Sequence, residues 1–365
     1  MNATREKHLT MLGCAGFIGS HILRRILAAT SYTIDGVDLE RTRIADIDNS
    51  DRFTFHRVDV ADSKAIEPLL EKSSVVISLA ALCNPYLYTN SPVAVIESNF
   101  TKMYPVIEAC SRYQCHLIHF STSEIYGKTV YSQIACNKQI ACNKPETTAE
   151  WELHEDTSAL LLGPVQAQRW CYAAAKQLLE RTIVAYGFER NLAYTIIRPF
   201  NFIGPGMDYI PGIDGDGVPR VFACFMGALM NSGTLALVDG GYNRRCFTDI
   251  DDAVDAIMMI LENLSGSRGQ IFNVGNPENE LSIRELAAIM IRLYGDLKPE
   301  SRNTEFPVKE VTGREFYGEG YEDSDRRIPS IEKIIRIIGW KPQSGIETTL
   351  KKAIEGFLKQ YRFLQ

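Results

Sequence analysis

The chain has 365 residues, of which 45% are hydrophobic and 23% charged, and a formal net charge of −6. That length and balance fit one large α/β unit or two smaller ones, and they exclude a basic stripe for nucleic acid and a polybasic patch for membranes. The nine cysteines have no zinc-finger spacing, so they read as reduced thiols of a cytoplasmic protein and no metal site is expected.

Met1 to His8 is polar and lacks the apolar core of a secretory leader, and no apolar run reaches the ~18 residues of a membrane span. His8–Leu12 reads as a strand, followed by a glycine turn and a helix over Ile18–Ala28. Thr33–Val37, Phe53–Val58, Val75–Ala80 and His116–Ser121 read as further strands, with a helix over Pro92–Cys110. A long helical pattern covers Trp170–Tyr186, and a strand covers Tyr194–Arg198. Repeated β-α-β units predict a Rossmann-like, doubly wound parallel sheet of the α/β class. Residues 128–168 read as a long insertion containing a tandem repeat, QIACNK at Gln133–Lys138 and again at Gln139–Lys144. Beyond Pro199 the rhythm changes. Gly204–Gly217 is rich in Gly, Pro and Asp and reads as loop. Helical patterns follow at Arg220–Met230, Asp251–Asn263, Ser282–Tyr294 and Thr348–Tyr361, while Asn273–Pro277 and Asn303–Arg327 read mainly as loop.

Gly13, Gly16 and Gly19 form G-x-x-G-x-x-G between the first strand and the first helix. That context lets a pyrophosphate approach the backbone and the helix N-terminus, with Phe17 and Ile18 in the same turn. Asp38 follows the second strand, about twenty residues past the last glycine, where a carboxylate binds ribose hydroxyls and repels the extra phosphate of NADP. NAD is therefore the expected cofactor, although Arg41 nearby weighs the other way. Asp59 and Val60 after the third strand, and Ala80 after the fourth, complete the expected cofactor contacts.

Tyr172 and Lys176 are four residues apart and so share one helix face. A free phenol has a pKa near 10 and is a poor base at neutral pH. A neighbouring ammonium is expected to lower it. The pair, with Thr122 after the fifth strand hydrogen-bonding the reacting oxygen, suits proton removal from an alcohol as hydride leaves for NAD.

Gly13–Gly19, Asp38, the STSEIYG run Ser121–Gly127, Tyr172 with Lys176, and Arg198-Pro199-Phe200-Asn201 resemble the extended short-chain dehydrogenases that act on nucleotide sugars. The likeness covers nearly the whole chain. Arg169–Tyr172, Pro199–Pro205, Asn273–Pro277 and Phe316–Ser330 resemble UDP-glucuronate decarboxylases. Tyr209–Phe225 is a long and specific stretch that resembles the UDP-apiose/UDP-xylose synthases. The resemblance implies NAD-dependent oxidative decarboxylation of UDP-glucuronic acid to a UDP-pentose: UDP-apiose, UDP-xylose, or the UDP-4-ketopentose. Oxidation at carbon 4 makes a β-keto acid, which loses carbon dioxide because the electrons left behind are delocalised as an enolate. Arg327 is assigned to the carboxylate, and Glu124 with Ser123 to proton handling at carbon 5. Arg169, Asn201, Arg220, Arg245 and Tyr321 are expected to hold the UDP-sugar. The implied organisation is an NAD-binding domain over 1–199, to which 238–266 returns, and a nucleotide-sugar domain over 200–237 and 267–365. A homodimer is also implied.

Some positions depart from that pattern. Cys83 matches a synthase cysteine near the sugar, but Ser123 stands where the synthases carry a second one, and Ala236 stands where the relatives have lysine. A 4,6-dehydratase would have aspartate where Ser123 stands, and a hydroxyl is a far weaker acid. A simple 4-epimerase leaves Arg327 without a role, and a UDP-hexuronate 4-epimerase differs by retaining the carboxylate. A non-catalytic dinucleotide sensor often lacks the Tyr/Lys pair.

Overall fold

The computed structural model describes residues 7–128, 151–210, 213–215, 218–319 and 321–361. Of the insertion at 128–168, both QIACNK repeats, with Cys136 and Cys142, lie outside the described residues. Fifteen strands are described: β1 (His8–Leu12), β2 (Thr33–Asp38), β3 (Phe53–Arg57), β4 (Val75–Ser78), β5 (His116–Phe120), β6 (Glu152–Leu153), β7 (Ala193–Pro199), β8 (Phe202–Ile203), β9 (Leu235–Val238), β10 (Arg244–Cys246), β11 (Thr248–Asp249), β12 (Gln270–Val274), β13 (Glu280–Ser282), β14 (Val308–Val311) and β15 (Arg326–Pro329).

Seven of them form one sheet in the order β12-β7-β5-β4-β1-β2-β3, and every pairing in it is parallel. The strands are buried almost throughout, as β5 is at all five positions, because helices cover both faces. Side chains alternate between the faces. Leu9 and Met11 enter one core, while Leu12, Val76 and Leu117 meet Leu179 and Ile183 of the helix Cys171–Arg190 in the other. The order reverses between β1 and β4, and in doubly wound sheets a ligand crevice opens at such a switch point. The expected doubly wound α/β fold is present.

Gln270–Val274 corrects the expected boundary. It is the seventh strand of the sheet, pairing in parallel with β7 so that Asn273 lies beside Arg198. The expected helix Pro92–Cys110 is also divided. An α turn at Pro92–Ile96 passes into a π turn at Glu97–Thr101, and a new helix runs Tyr104–Tyr113. Pro105 in the first turn of that helix lacks an N–H and crowds the preceding turn, which explains the restart. Asn99, buried in the π turn, donates through Nδ2 to Val95 O and to Leu82 O at 2.8 and 2.9 Å. The loop carrying Cys83 is thereby tied to the helix.

The second region holds a smaller sheet, β13-β10-β15-β6. Parallel pairing of β10 with β15 sets Arg245 beside Arg327. The turn from β13 into the helix Ile283–Leu297 is closed by a capping box: Ser282 accepts from the Glu285 N–H, and Glu285 accepts from the Ser282 N–H. Such a cap contributes about 1 kcal/mol. Asn303–Arg327, expected as loop, contains β14, a short capped helix Gly313–Tyr317, and the start of β15.

Asp35 on β2 is buried and is met by three side chains: His8 and His56 at 2.7 Å each and the Lys72 ammonium at 2.6 Å. Burial alone raises a carboxyl pKa, but the hydrogen bonds from His8, Lys72 and His56 outweigh it and hold Asp35 well below the usual range. A depressed folded-state pKa adds stability above the unfolded value, near 3.9, that is lost as pH falls through the folded one. Asp35→Asn is expected to cost about 1–3 kcal/mol near neutral pH, since Lys72 and His56 reach water once released. Denaturant melts should show the gap from the parent closing as pH falls below about 4. A gap independent of pH in that range would rule out the charge as its source.

Candidate active site

The glycine loop leaves β1 at the switch point. Gly13 has φ +86°, and a Cβ there would meet Ala80 N at 2.7 Å; one on Gly19 would meet Gly13 O at 2.2 Å. The N–H groups of Gly13 and Cys14 both point to Val37 O, at 2.8 and 3.2 Å. The loop is therefore bare backbone pressed against β2 and β4. The helix Phe17–Ala29 starts at Gly16 with no side-chain cap, so its first N–H groups can face a pyrophosphate. Asp38 accepts from Ala15 N–H and from its own neighbour Leu39 N–H, both at 2.8 Å, and a carboxylate has further acceptor positions for ribose hydroxyls. Arg41 is turned away from a 2′-phosphate: its guanidinium donates to Ile47 O and lies over the Phe55 ring. These residues fit NAD. Asp59 is engaged by the Ala61 N–H and by Lys102, while Val60 packs at the edge of the core. Asp38→Asn is expected to shrink the preference for NAD over NADP by about tenfold or more. Dissociation constants from fluorescence titration would check this, and an unchanged ratio would place the ribose elsewhere.

Tyr172 and Lys176 are buried on the helix Cys171–Arg190. Lys176 Nζ donates to Phe120 O at 3.0 Å, and burial brings its pKa down to about 8. The phenol departs from the sequence expectation. Burial first, then Cys83 and Glu124, push Tyr172 well above 10, and only the Thr122 hydroxyl, hydrogen-bonded to it, and more distant Arg220 pull the other way. Desolvation dominates here, against the expected lowering. Thr122 also caps the turn Ser123–Tyr126 by accepting from the Glu124 N–H at 3.1 Å. Tyr88 stacks flat on Tyr172, with ring centroids 4.8 Å apart at 8°, and Arg169 covers Tyr88's ring at 5.3 Å.

Next to this stack opens a cavity of about 550 Å³. One end is lined by Glu124, Arg169, Arg245, Asp323 and Arg327. Arg169 reaches Glu124 Oε2 at 2.7 Å and Asp323 Oδ1 at 3.8 Å. Arg245 reaches Asp323 Oδ2 at 2.6 Å. Arg327, 7% exposed, is the least engaged, with Asp323 Oδ1 at 3.5 Å. The Nε atoms of Arg169 and Arg327 are buried and have no hydrogen-bond partner among the described residues. Three guanidiniums face two carboxylates, so the cluster has one buried positive charge in excess. The titration shifts agree. Burial opposes ionisation of both acids, yet Arg169 and Arg327 hold Glu124 below the usual range, and Arg245, Arg327 and Arg169 hold Asp323 at about 2. Arg327 is lowered to about 10, by burial and then by Arg245. A buried charge of this kind is costly unless it is paired. One more carboxylate would pair it.

The other expected ligands spread along the cavity. Asn201, at φ +42°, donates to Cys246 O at 2.9 Å. Arg220 is held by Asp208 at 2.9 Å and lies over Phe17 of the glycine loop. Tyr321 stacks on Tyr317 and donates to Asp323 at 3.3 Å. Arg245 sits in the acid cluster beside Arg327. Ser123 is buried. Cys83 is exposed and lines the cavity, and desolvation by the protein around it pushes its thiol up. Ala236 lines the cavity wall, with Lys309 opposite it in the β9–β14 register. Sequence reasoning missed Asp323 and Tyr88. Asp323 precedes Arg327 by four residues in an irregular segment, where that spacing implies no shared face. Tyr88 lies in a six-residue helix too short for a pattern.

A family model described as the NAD dependent epimerase/dehydratase family matches residues 9–275. UDP-D-apiose/UDP-D-xylose synthase of Oryza sativa subsp. japonica is 41% identical over 362 residues, covering 97% of this chain and 90% of that protein. The PbgP3 protein of Burkholderia pseudomallei superposes with a TM-score of 0.81 at 33% identity, covering 98% of each chain. UDP-glucuronic acid 4-epimerase of Bacillus cereus, solved with UDP-glucuronic acid and NAD, shares the fold with a TM-score of 0.77 at 20% identity, covering 97% of this chain and 100% of that one.

Proposed function

The chain belongs to the NAD-dependent epimerase/dehydratase family, and we propose that it oxidatively decarboxylates UDP-glucuronic acid to a UDP-pentose, the activity class named by the synthase relatives. The observation that carries this is the surplus charge beside Tyr172. A neutral hexose leaves the cluster with one positive charge in surplus, whereas a hexuronate supplies the missing anion.

NAD, when bound, would supply the hydride acceptor for oxidation at carbon 4. Gly13, Gly16, Phe17, Ile18 and Gly19 would hold its pyrophosphate, Asp38 its adenosine ribose, and Lys176 with Tyr172 the nicotinamide side. Thr122 and Tyr172 bracket the carbon 4 hydroxyl, and Tyr172 takes its proton. Arg327, with Arg169 beside it, orients the carboxylate so that carbon dioxide can leave the β-keto acid. Glu124 starts ionised. Arrival of the substrate's carboxylate cancels the excess positive charge, which raises Glu124's proton affinity and readies it, with Ser123, to exchange a proton at carbon 5. Asn201, Arg220, Arg245 and Tyr321 line the path for the rest of the nucleotide sugar, with Cys83 facing the sugar end.

Two coarser features belong to the same reading. Leu178, Val184 and Phe188 leave apolar surface on the outside of the Tyr172 helix, and Tyr104 does so on the helix packed beside it. This suits a homodimer through that face. The seven described cysteines are free thiols, and no described helix is long and apolar enough to cross a membrane. Both suit the cytoplasm.

Incubation with UDP-glucuronate and catalytic NAD should release carbon dioxide, and NMR should identify the pentose as xylose, apiose or the 4-ketopentose. Retained carboxylate with inversion at carbon 4 would replace this reading with the 4-epimerase.

A further inference from the structure

Behind the charged cluster lies a second buried network. Arg198 on β7 makes a two-pronged ion pair with Glu180, Nε to Oε1 at 3.1 Å and Nη2 to Oε2 at 2.7 Å. Its Nη1 donates to the Tyr126 hydroxyl at 2.8 Å, and that hydroxyl donates to Asn273 Oδ1 at 2.8 Å. Asn273 Nδ2 donates to Leu153 O at 2.7 Å and to Ser330 O at 3.2 Å. Arg198, Glu180, Tyr126 and Asn273 are all at most 4% exposed. Each end of the network adjoins a residue of the reaction. Glu180 is one helical turn past Lys176. Tyr126 is two residues past Glu124. Ser330 is three residues past Arg327.

We propose that Tyr126 and Asn273 are positioning residues for the loss of carbon dioxide: they lock Glu124 and Arg327 to the helix that bears Tyr172 and Lys176. The proposal rests on the decarboxylase reading of the site. Oxidation at carbon 4 needs the helix and Thr122, which closely follows β5; the Arg198–Glu180 pair and the Lys176–Phe120 hydrogen bond anchor that helix to β7 and β5. Decarboxylation also needs the turn Ser123–Tyr126 and β15 in register with it. Those two elements come from distant parts of the chain, and the Tyr126–Asn273 hydrogen bond, continued by Asn273 Nδ2 to Ser330 O just past β15, is a buried side-chain link between them. Cutting it should separate the two steps.

The test uses the full-length protein with NAD and UDP-glucuronate. Tyr126→Phe removes one oxygen and no ring volume. Asn273→Asp keeps the acceptor for Tyr126 and loses both donors. For each variant, first-turnover oxidation, read as reduced-nicotinamide absorbance, should stay within about threefold of the parent, while carbon dioxide release slows by about ten- to a hundredfold. The reduced band should then persist and the 4-keto hexuronate accumulate. A purely structural role would slow both steps together, in proportion to a drop in melting temperature, and that result overturns the proposal. Should Asn273→Asp not fold, Tyr126→Phe decides alone. If the unaltered protein releases no carbon dioxide, the decarboxylase reading falls and this falls with it; normal release by the parent with both steps slowed in the variants overturns only the positioning role.

Discussion

Replacing Arg327 with methionine is expected to slow carbon dioxide release by about 10²–10³-fold while oxidation of carbon 4 remains measurable. The magnitude is that of removing one preorganised charged donor from a dry site. The selectivity comes from placement, because Arg327 contacts Asp323 in the charged cluster whereas Tyr172 is steadied by Thr122 and by the flat stack of Tyr88. The charge count sharpens the expectation. Without Arg327, two guanidiniums face two carboxylates and the cluster is neutral. The variant should therefore bind UDP-glucuronate more weakly and UDP-glucose, whose sugar has no carboxylate, about as well as before. Its melting temperature should hold or rise, since the surplus buried charge is replaced by an apolar side chain of similar reach. Trapped carbon dioxide, titration with both sugars and a thermal melt test this together. Undiminished carbon dioxide release would remove Arg327 from the chemistry.

Tyr172→Phe is expected to lower both oxidation and decarboxylation by about 10³–10⁴-fold, because no other group near carbon 4 can take the proton. Cys83 is a poor substitute, since its surroundings already push the thiol above its usual pKa. The ring stays, so the stack on Tyr88 and the fold should stay too. Binding of UDP-glucuronate should change little, and the loss should fall on kcat. The parent's basicity is the sharper point. Burial holds this phenol protonated in the described structure, so activity should require the positive nicotinamide ring in place beside it. Rapid-quench kinetics at several pH values would show this. A Tyr172→Phe protein retaining more than about a tenth of the parent's rate would exclude the phenol as the base.

Much of this was legible in the chain. Strands β1 to β5 and β7 announce themselves as β-branched or apolar runs, and the glycine turn and the Tyr172–Lys176 spacing carry their chemistry locally. The rest depends on distant partners. Gln270–Val274 has no alternation that separates an edge strand of the main sheet from a strand of the smaller region; pairing with β7 decides it. Ser63–Glu71 contains Pro68, which disguises a real helix. Asn303–Arg327 looks irregular because its strands are short and pair with β9 and β10, far back in the chain. Asp323 was hidden for the same reason. Its meaning lies in three arginines contributed by separate segments, and only folding brings them together.

The π turn at Glu97–Thr101 has a geometric corollary. Each residue of an α-helix advances the side-chain direction by about 100°, so one surplus residue re-aims everything after it. Without that surplus, Val106, Ile107 and Cys110 would swing off the hydrophobic layer they now fill, and Asn99 would no longer reach the carbonyl of Leu82. A straightened version of this segment could satisfy the layer or the tether, but not both. The local over-count is thus what allows one stretch of chain to serve the interior and the rim of the cleft at once.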